Sequence, residues 1–364
     1  MSPALDLVSS MPAEVRNPKL EAQRNSAVAT VYYNARLDPV NYLDGPLSDN
    51  PPTRLRQMLA RPGIITAPGI CDGISARCAI EAGFECLYQS GAATTASASI
   101  LSPPSFRFLI IISETWTARP RNCHNERLHR GRRNGMRSGS HNACHCRRRH
   151  WVQFGGPANI ARTVTKYARA GVAGLHIEDQ VQTKRCGHLL GKQVVSREEF
   201  VTRIRAAVLA RDQIPGGSDF VIIGRTDSAQ VLGMDEAIYR LKLASDAGAD
   251  VCFIEGVKTK ELLERTVSAL APKPVLVNVI SGGLTPSFTS KEAESMGAKI
   301  IIFSLVSCVP MVHAVRAAMK SLRETGTDFG SAQGMGPREF FEVMGLHDVV
   351  TLDSKAGGSA FVSI

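Results

Sequence analysis

The sequence predicts an α/β protein folded as a (β/α)8 barrel, and three observations carry that reading. Seven short apolar, β-rich runs punctuate the chain, at 64–70, 85–90, 174–179, 220–224, 251–255, 275–280 and 299–304. Between them lie stretches such as 197–211 and 235–247, whose apolar residues return every three to four positions, the period of an amphipathic helix. Glycine stands just before a run in Ala247-Gly248-Ala249-Asp250 and Ala170-Gly171-Val172-Ala173-Gly174, as expected where a helix stops and a strand begins.

Buried strands alternating with helices fit either an open doubly wound sheet or a closed barrel. The regular spacing, with one gap between Ser90 and Gly174 where an eighth strand belongs, favours the barrel, whose active site sits at the C-terminal strand ends. Residues 1–53 show little periodicity and end in Asp49-Asn50-Pro51-Pro52, a strong breaker; they read as a poorly ordered arm or a dimer-contact extension. The barrel is expected over 54–325, and a helical C-terminal extension over 326–364. Helical patterns at 309–323 and 337–346 are available for contacts between subunits.

Composition narrows the function. Hydrophobic residues at 44% and charged residues at 21% are ordinary for a soluble globular protein. No apolar run approaches a membrane span, and the N-terminus lacks the basic-then-apolar order of a secretory signal, so a cytoplasmic location is expected, with mitochondria left open. Nine irregularly spaced cysteines fit reduced thiols. The net charge of +10 is local: between Glu114 and His150 stand ten arginines, no lysine and two acids. That segment could suggest a zinc site at His141, Cys144, His145 and Cys146, but a second, properly spaced ligand pair is missing. A basic nucleic-acid-binding arm is also disfavoured, because aromatics other than Trp116 and Trp151 are lacking and the stretch interrupts a barrel.

The strand ends carry Tyr88-Gln89-Ser90-Gly91, Glu178-Asp179-Gln180, Arg225-Thr226-Asp227, Glu255-Gly256 and Asn278. Together these carboxylates, the arginine and the amide suggest a site for an anionic substrate. Beyond the run at 174–179 lies Lys184-Arg185-Cys186-Gly187-His188, where flanking cations should favour the thiolate of Cys186.

The runs Gly174-Leu175-His176-Ile177-Glu178-Asp179-Gln180 and Lys184–His188, then Val195-Ser196-Arg197-Glu198-Glu199-Phe200, with Arg225-Thr226-Asp227 and Leu87–Gly91, closely resemble methylisocitrate lyase and its relatives in the isocitrate lyase and phosphoenolpyruvate mutase superfamily. The resemblance spans roughly 54–100 and 154–325. It implies a carbon–carbon lyase for a small 2-hydroxy or 2-oxo dicarboxylate, such as a methylisocitrate-like acid, a 2-alkylmalate or oxaloacetate, with Mg²⁺ (or Mn²⁺) as cofactor and an enolate intermediate. By the same resemblance Cys186 is the general acid, with Lys184 and His188 on its loop, and Tyr88 takes the substrate hydroxyl proton. Arg225 faces the enolate; Ser90, Gly91, Gly187, Glu255, Asn278, Ser281 and Thr285 bind substrate; Glu178 and Asp72 lie on the metal side. A homo-oligomer, dimer or tetramer, with exchanged C-terminal helices is implied as well, and neither a nucleic acid nor a membrane is an expected partner.

Two departures stand against the family pattern. Ser281 occupies the place of a usual glutamate. On the third strand, where the family carries Asp-Ala-Asp-Thr-Gly to hold the metal, this chain reads Cys146-Arg147-Arg148-Arg149-His150-Trp151, so the third strand region, about 103–152, is expected to be disrupted. Read one nucleotide later, permitted codons for the stretch from Cys123 to Val152 can spell an apolar strand and the missing motif, with aspartates at positions 147 and 149 and a forced glycine over Trp151-Val152. A frame-shifted translation is therefore the preferred origin of this segment. Alternatives are an inactive barrel and a carboxyphosphonoenolpyruvate mutase-type activity.

Overall fold

Two compact units divide the chain, Met1–Pro46 and Leu47–Ile364, and the second holds every strand and helix described below. The computed structural model describes residues 45–98, 143–147, 156–181, 188, 190–215 and 218–359.

Helix α1 (Pro51–Ala60) begins at the breaker itself: the Asn50 side chain accepts from the Thr53 N–H, and proline fills the first turn, where no N–H is needed. The helix thus reaches back across the expected boundary at 53. After it come β1 (Ile65–Ile70), α2 (Gly73–Glu81), β2 (Cys86–Gln89), α3 (Gly91–Ala98), β3 (Ala143–Arg147) and α4 (Pro157–Arg169). The alternation continues with β4 (Gly174–Glu178), α5 (Arg197–Asp212), β5 (Val221–Thr226), α6 (Met234–Asp246), β6 (Val251–Ile254) and α7 (Lys260–Leu270). It ends with β7 (Val275–Asn278), α8 (Ser290–Ser295) and β8 (Ile300–Phe303). Neighbouring strands pair parallel in chain order, and β8 returns to β1, with Ile300 opposite Ile65, so the sheet closes.

The third place in the ring falls within the stretch expected to be disrupted. Ala143–Arg147 fills it, with Cys86 to Gln89 opposite Ala143 to Cys146 on one side and Gly174 to His176 opposite His145 to Arg147 on the other. Ladder bonds join main-chain groups, and two flanking strands with unpaired N–H and C=O groups accept an extended segment whatever its side chains. The rest of the anomalous stretch lies outside the described residues.

Side chains alternate across the closed sheet as the two-residue strand period requires. Ile65, Ala67, Cys86, Tyr88, Val221, Ile223, Val251, Phe253, Leu276, Ile300 and Ile302 pack in one cluster, joined by Leu55 of α1. Their strand neighbours, among them Leu175, Ile177 and Ile222, pack with Ile160, Phe200 and Ile204 of the helices. Close approach explains Gly69: a Cβ there would lie 2.4 Å from the Ser304 carbonyl oxygen.

The end nearest α1 is tied by charge. Asp250 Oδ2 accepts from Arg211 Nη1 at 2.8 Å and from the Ile222 N–H at 2.8 Å, while Oδ1 accepts from Arg56 Nη2 at 3.2 Å. Arg56 Nε also donates to the Asp219 carbonyl at 2.7 Å.

Beyond the ring, α9 (Cys308–Thr325), α10 (Phe329–Ala332), α11 (Pro337–Val343) and α12 (Leu346–Lys355) form the extension. The helix expected over 337–346 is two helices. Gly345, at φ +93°, turns the chain between them, and a Cβ there would meet the Arg77 guanidinium at 2.6 Å.

Candidate active site

The C-terminal strand ends converge as the barrel rule demands. Tyr88 lies on β2, Glu178 ends β4, Arg225 sits near the end of β5, Glu255 follows β6 and Asn278 ends β7. A small cavity is lined by Tyr88, Ser90, Ala92, His188, Arg225, Glu255, Asn278, Ile280, Ser304 and Leu305.

Arg225 is its electrostatic centre. The guanidinium is buried and meets three carboxylates: Glu255 Oε2 from Nη2 at 2.7 Å, Asp227 from Nε at 2.9 Å and Nη2 at 3.0 Å, and Glu178 Oε2 from Nε at 3.3 Å. Burial works against its charge, but Asp227 and Glu255 outweigh that and raise its pKa above arginine's ordinary range. Its planar cation also lies 4.8 Å from the centre of the Phe253 ring. Nη1 makes no hydrogen bond to a described residue, which leaves one nitrogen of a cavity-lining cation available to a ligand.

His188 is held in one tautomer. The Leu284 N–H donates to its Nδ1 at 3.1 Å, so the ring proton is on Nε2, which points at Glu255 Oε1 at 3.0 Å. Gly283 makes this possible, since a Cβ there would fall 2.5 Å from Nδ1. Burial pushes the Glu255 carboxyl up, but Arg225 and the hydrogen bond from His188 prevail and hold it below the usual range. Asn278 Nδ2 donates to Glu255 at 3.2 Å, while its Oδ1 is buried without a hydrogen-bond partner among the described residues. A buried acceptor left unmatched costs free energy, so it suits a ligand that can donate or carry a bridging water.

The Tyr88 hydroxyl meets His176 Nε2 of β4, two strands round the ring, at 3.0 Å. Ser90 lies at the start of α3, where its hydroxyl oxygen accepts from the Ala93 N–H at 3.3 Å. Its own N–H donates to the Ile70 carbonyl at 3.0 Å.

The structure therefore brings together Tyr88, Ser90, His188, Arg225, Glu255 and Asn278 of the expected set, with Glu178 against Arg225. Gly91 opens α3 beside Ser90. Thr285 is buried, and its Oγ1 lacks a hydrogen-bond partner among the described residues, whereas Ser281 is exposed; neither lines the cavity. Asp72 caps α2, accepting from the Ser75 N–H at 2.8 Å, and does not line the cavity. Lys184, Cys186 and Gly187 lie outside the described residues.

Sequence reasoning passed over Ser304, which follows β8 and obeys the same strand-end rule, and Ala92, Ile280 and Leu305, which carry no polar signal. It also passed over the buried carboxylate Asp227 as a partner of Arg225.

Among the described residues, no group of three His, Cys, Asp or Glu side chains is placed to hold a metal. Glu178 is engaged by Arg225 and Asp72 by its helix, so these two do not assemble a divalent-cation site by themselves.

Residues 153–324 match the family model described as phosphoenolpyruvate phosphomutase. A 2,3-dimethylmalate lyase of Eubacterium barkeri is 31% identical over 301 residues, which cover 82% of this chain and 96% of the relative. The chain belongs to the PEP mutase/isocitrate lyase superfamily. A second superfamily relative, the 2-methylisocitrate lyase of Aeropyrum pernix, is 32% identical over 313 residues, 86% of this chain and 93% of that one. The structure of oxaloacetate acetylhydrolase in complex with 3,3-difluorooxalacetate matches with 41% identity and a TM-score of 0.74, over 87% of this chain and all of the other. Membership of the PEP mutase/isocitrate lyase superfamily bears out the expectation of a lyase, and the relatives named above act on 2,3-dimethylmalate, 2-methylisocitrate and oxaloacetate. Among the described residues, no helix is long and apolar enough to cross a membrane.

Proposed function

We propose that this chain cleaves a carbon–carbon bond in a small 2-hydroxy or 2-oxo dicarboxylate through an enolate. The observation that carries the reading is the buried Arg225 guanidinium, fixed by three carboxylates in the wall of a small cavity. Breaking the bond leaves negative charge on the retained fragment, and a preorganised cation in a water-poor site lowers the cost of forming it. Tyr88 takes the proton of the substrate hydroxyl, with His176 as its hydrogen-bond partner. Asn278 Oδ1, Ser90 and the Nε2 edge of His188 orient the substrate's polar groups. Cys186 supplies the proton that quenches the carbanion, with Lys184 and Gly187 on the same loop. Ser281 and Thr285 belong to the substrate side by family resemblance, at a greater remove than Asn278.

A divalent cation such as Mg²⁺ would supply further stabilisation of the enolate. The described carboxylates do not form a site for it. That same observation favours a second reading, a barrel that folds but turns over poorly because its metal ligands are missing. The frame-shifted origin of 103–152 would account for it.

The full chain incubated with 2-methylisocitrate, 2,3-dimethylmalate and oxaloacetate, with and without Mg²⁺, tests the reading by product analysis. Cleavage of one acid supports the lyase. Binding of one acid without turnover supports the impaired barrel, and neither binding nor cleavage removes both.

A further inference from the structure

We propose that Lys192 is a positioning residue for Arg225, neutralising the carboxylate that holds the guanidinium so that its charge remains available to the cavity. The inference rests on the reading of Arg225 as the enolate-facing cation.

The geometry is a relay of two cations on one carboxylate. Lys192 Nζ donates to Asp227 Oδ1 at 3.0 Å, and both side chains are fully buried. The same Asp227 grips Arg225 through two nitrogens, and its own N–H donates to Asp179 Oδ1 at 2.9 Å. Asp227 therefore cannot turn away from Arg225 without breaking three separate contacts.

Lys192 is itself fixed from the main chain. The Val181 N–H donates to the Gln193 carbonyl at 2.9 Å, and the Val195 N–H donates to the Asp179 carbonyl at 2.8 Å. Arg240 Nη1 closes the corner, donating to the Val195 carbonyl at 2.8 Å and approaching Asp179 Oδ2 at 3.2 Å. The ammonium thus arrives at Asp227 from a backbone clamped to the end of β4 on either side.

Charge explains why a lysine is needed there. Among the described residues, Glu178, Asp227 and Glu255 stand around Arg225, and Lys192 brings a second cation to Asp227. Without Lys192 more of the guanidinium's charge would be spent on Asp227, and less of its field would reach an anion in the cavity. A buried ion pair adds little net stability over a well-packed apolar pair, so stability alone is a weak reason to place a lysine in this position.

The test is calorimetric titration of the full chain with oxalate, a planar dianion that mimics an enolate, in the presence and absence of Mg²⁺. Lys192→Met should weaken oxalate binding by roughly tenfold or more, because one cation of the group is gone. Adding Asp227→Asn restores the original net charge around Arg225, and the double variant should return to within about threefold of the wild-type affinity. A general loosening of the fold would not be rescued in this way. Equal affinity in Lys192→Met and wild type overturns the proposal, as does a double variant no better than the single one. Should Lys192→Met fail to fold, Lys192→Gln, which keeps a donor for Asp227 without the charge, takes its place with the same expected loss. A wild-type chain that binds no oxalate overturns the underlying reading of Arg225, and is seen before any variant is made.

Discussion

The Tyr88 and His176 rings stack 5.9 Å apart and 15° from parallel, with the hydroxyl 3.0 Å from Nε2, and the far side of His176 meets Phe253 edge-on at 5.4 Å. A phenol so placed has a defined partner for its proton. His176→Phe keeps the ring volume and removes the nitrogen, and turnover should fall by roughly 10²-fold with little change in substrate affinity. Tyr88→Phe should lose at least as much. Steady-state kinetics on the substrate identified by the acid panel would decide; an unchanged kcat in His176→Phe removes His176 from the proton path.

Arg225→Met should destabilise the fold by about 3–5 kcal/mol, since it leaves buried carboxylates short of their main counter-charge. The pH dependence follows from Glu255, whose folded-state pKa lies below its ordinary value of 4.5 although burial alone would raise it. A depressed carboxylate contributes stability that is fully present above the unfolded value and is lost as pH falls through the folded one. The gap between wild type and variant should therefore be widest above about pH 5 and narrow toward acid. Urea unfolding over a pH series checks this, and a gap that widens below pH 4 would contradict it.

Mg²⁺ should bind this polypeptide weakly or not at all. The resemblance puts a metal-holding aspartate at position 147, where Arg147 ends β3, and the described residues offer no alternative set of three. Calorimetry with MgCl₂ reads the affinity; tight stoichiometric binding would refute the view. Sequencing the transcript across codons 100–155 tests the frame-shifted origin separately, because an intact Asp-Ala-Asp-Thr-Gly strand in the message would establish it.

We propose that a second copy of the chain covers the C-terminal extension. Val309, Val312, Val315, Met319 and Leu322 recur at helical spacing along α9 and are each at least 43% exposed, and Phe329 is 82% exposed. So continuous an apolar stripe is unusual on a monomer's surface. Sedimentation should give a dimer or tetramer, and Val312→Glu combined with Met319→Glu should shift it toward monomer. A wild-type monomer at micromolar concentration would dispose of the idea.

Much of the fold was legible because its signals are local. Each of the seven apolar runs became a strand within one or two residues at either end. The third strand was not legible, since its place is set by the open edges of β2 and β4 and not by the side chains of Ala143–Arg147. At the site, the strand-end rule found Tyr88, Ser90, Arg225, Glu255 and Asn278. It could not find Lys192, which reaches Asp227 from 35 residues away in sequence and lies on no strand. Nor could it show that Ser281 is exposed and Asp72 capped, because both facts depend on how a loop or a helix start is turned.

The Arg56–Asp250–Arg211 tie belongs to the barrel's floor, away from the strand ends that line the cavity. Holding the scaffold together at one end relieves the other of that duty. Wall residues such as Ile280, Leu305 and Ala92 can then drift in size without undoing the ring. One architecture can in this way be inherited by descendants that favour different acids, with selection acting on the mouth while the base is kept.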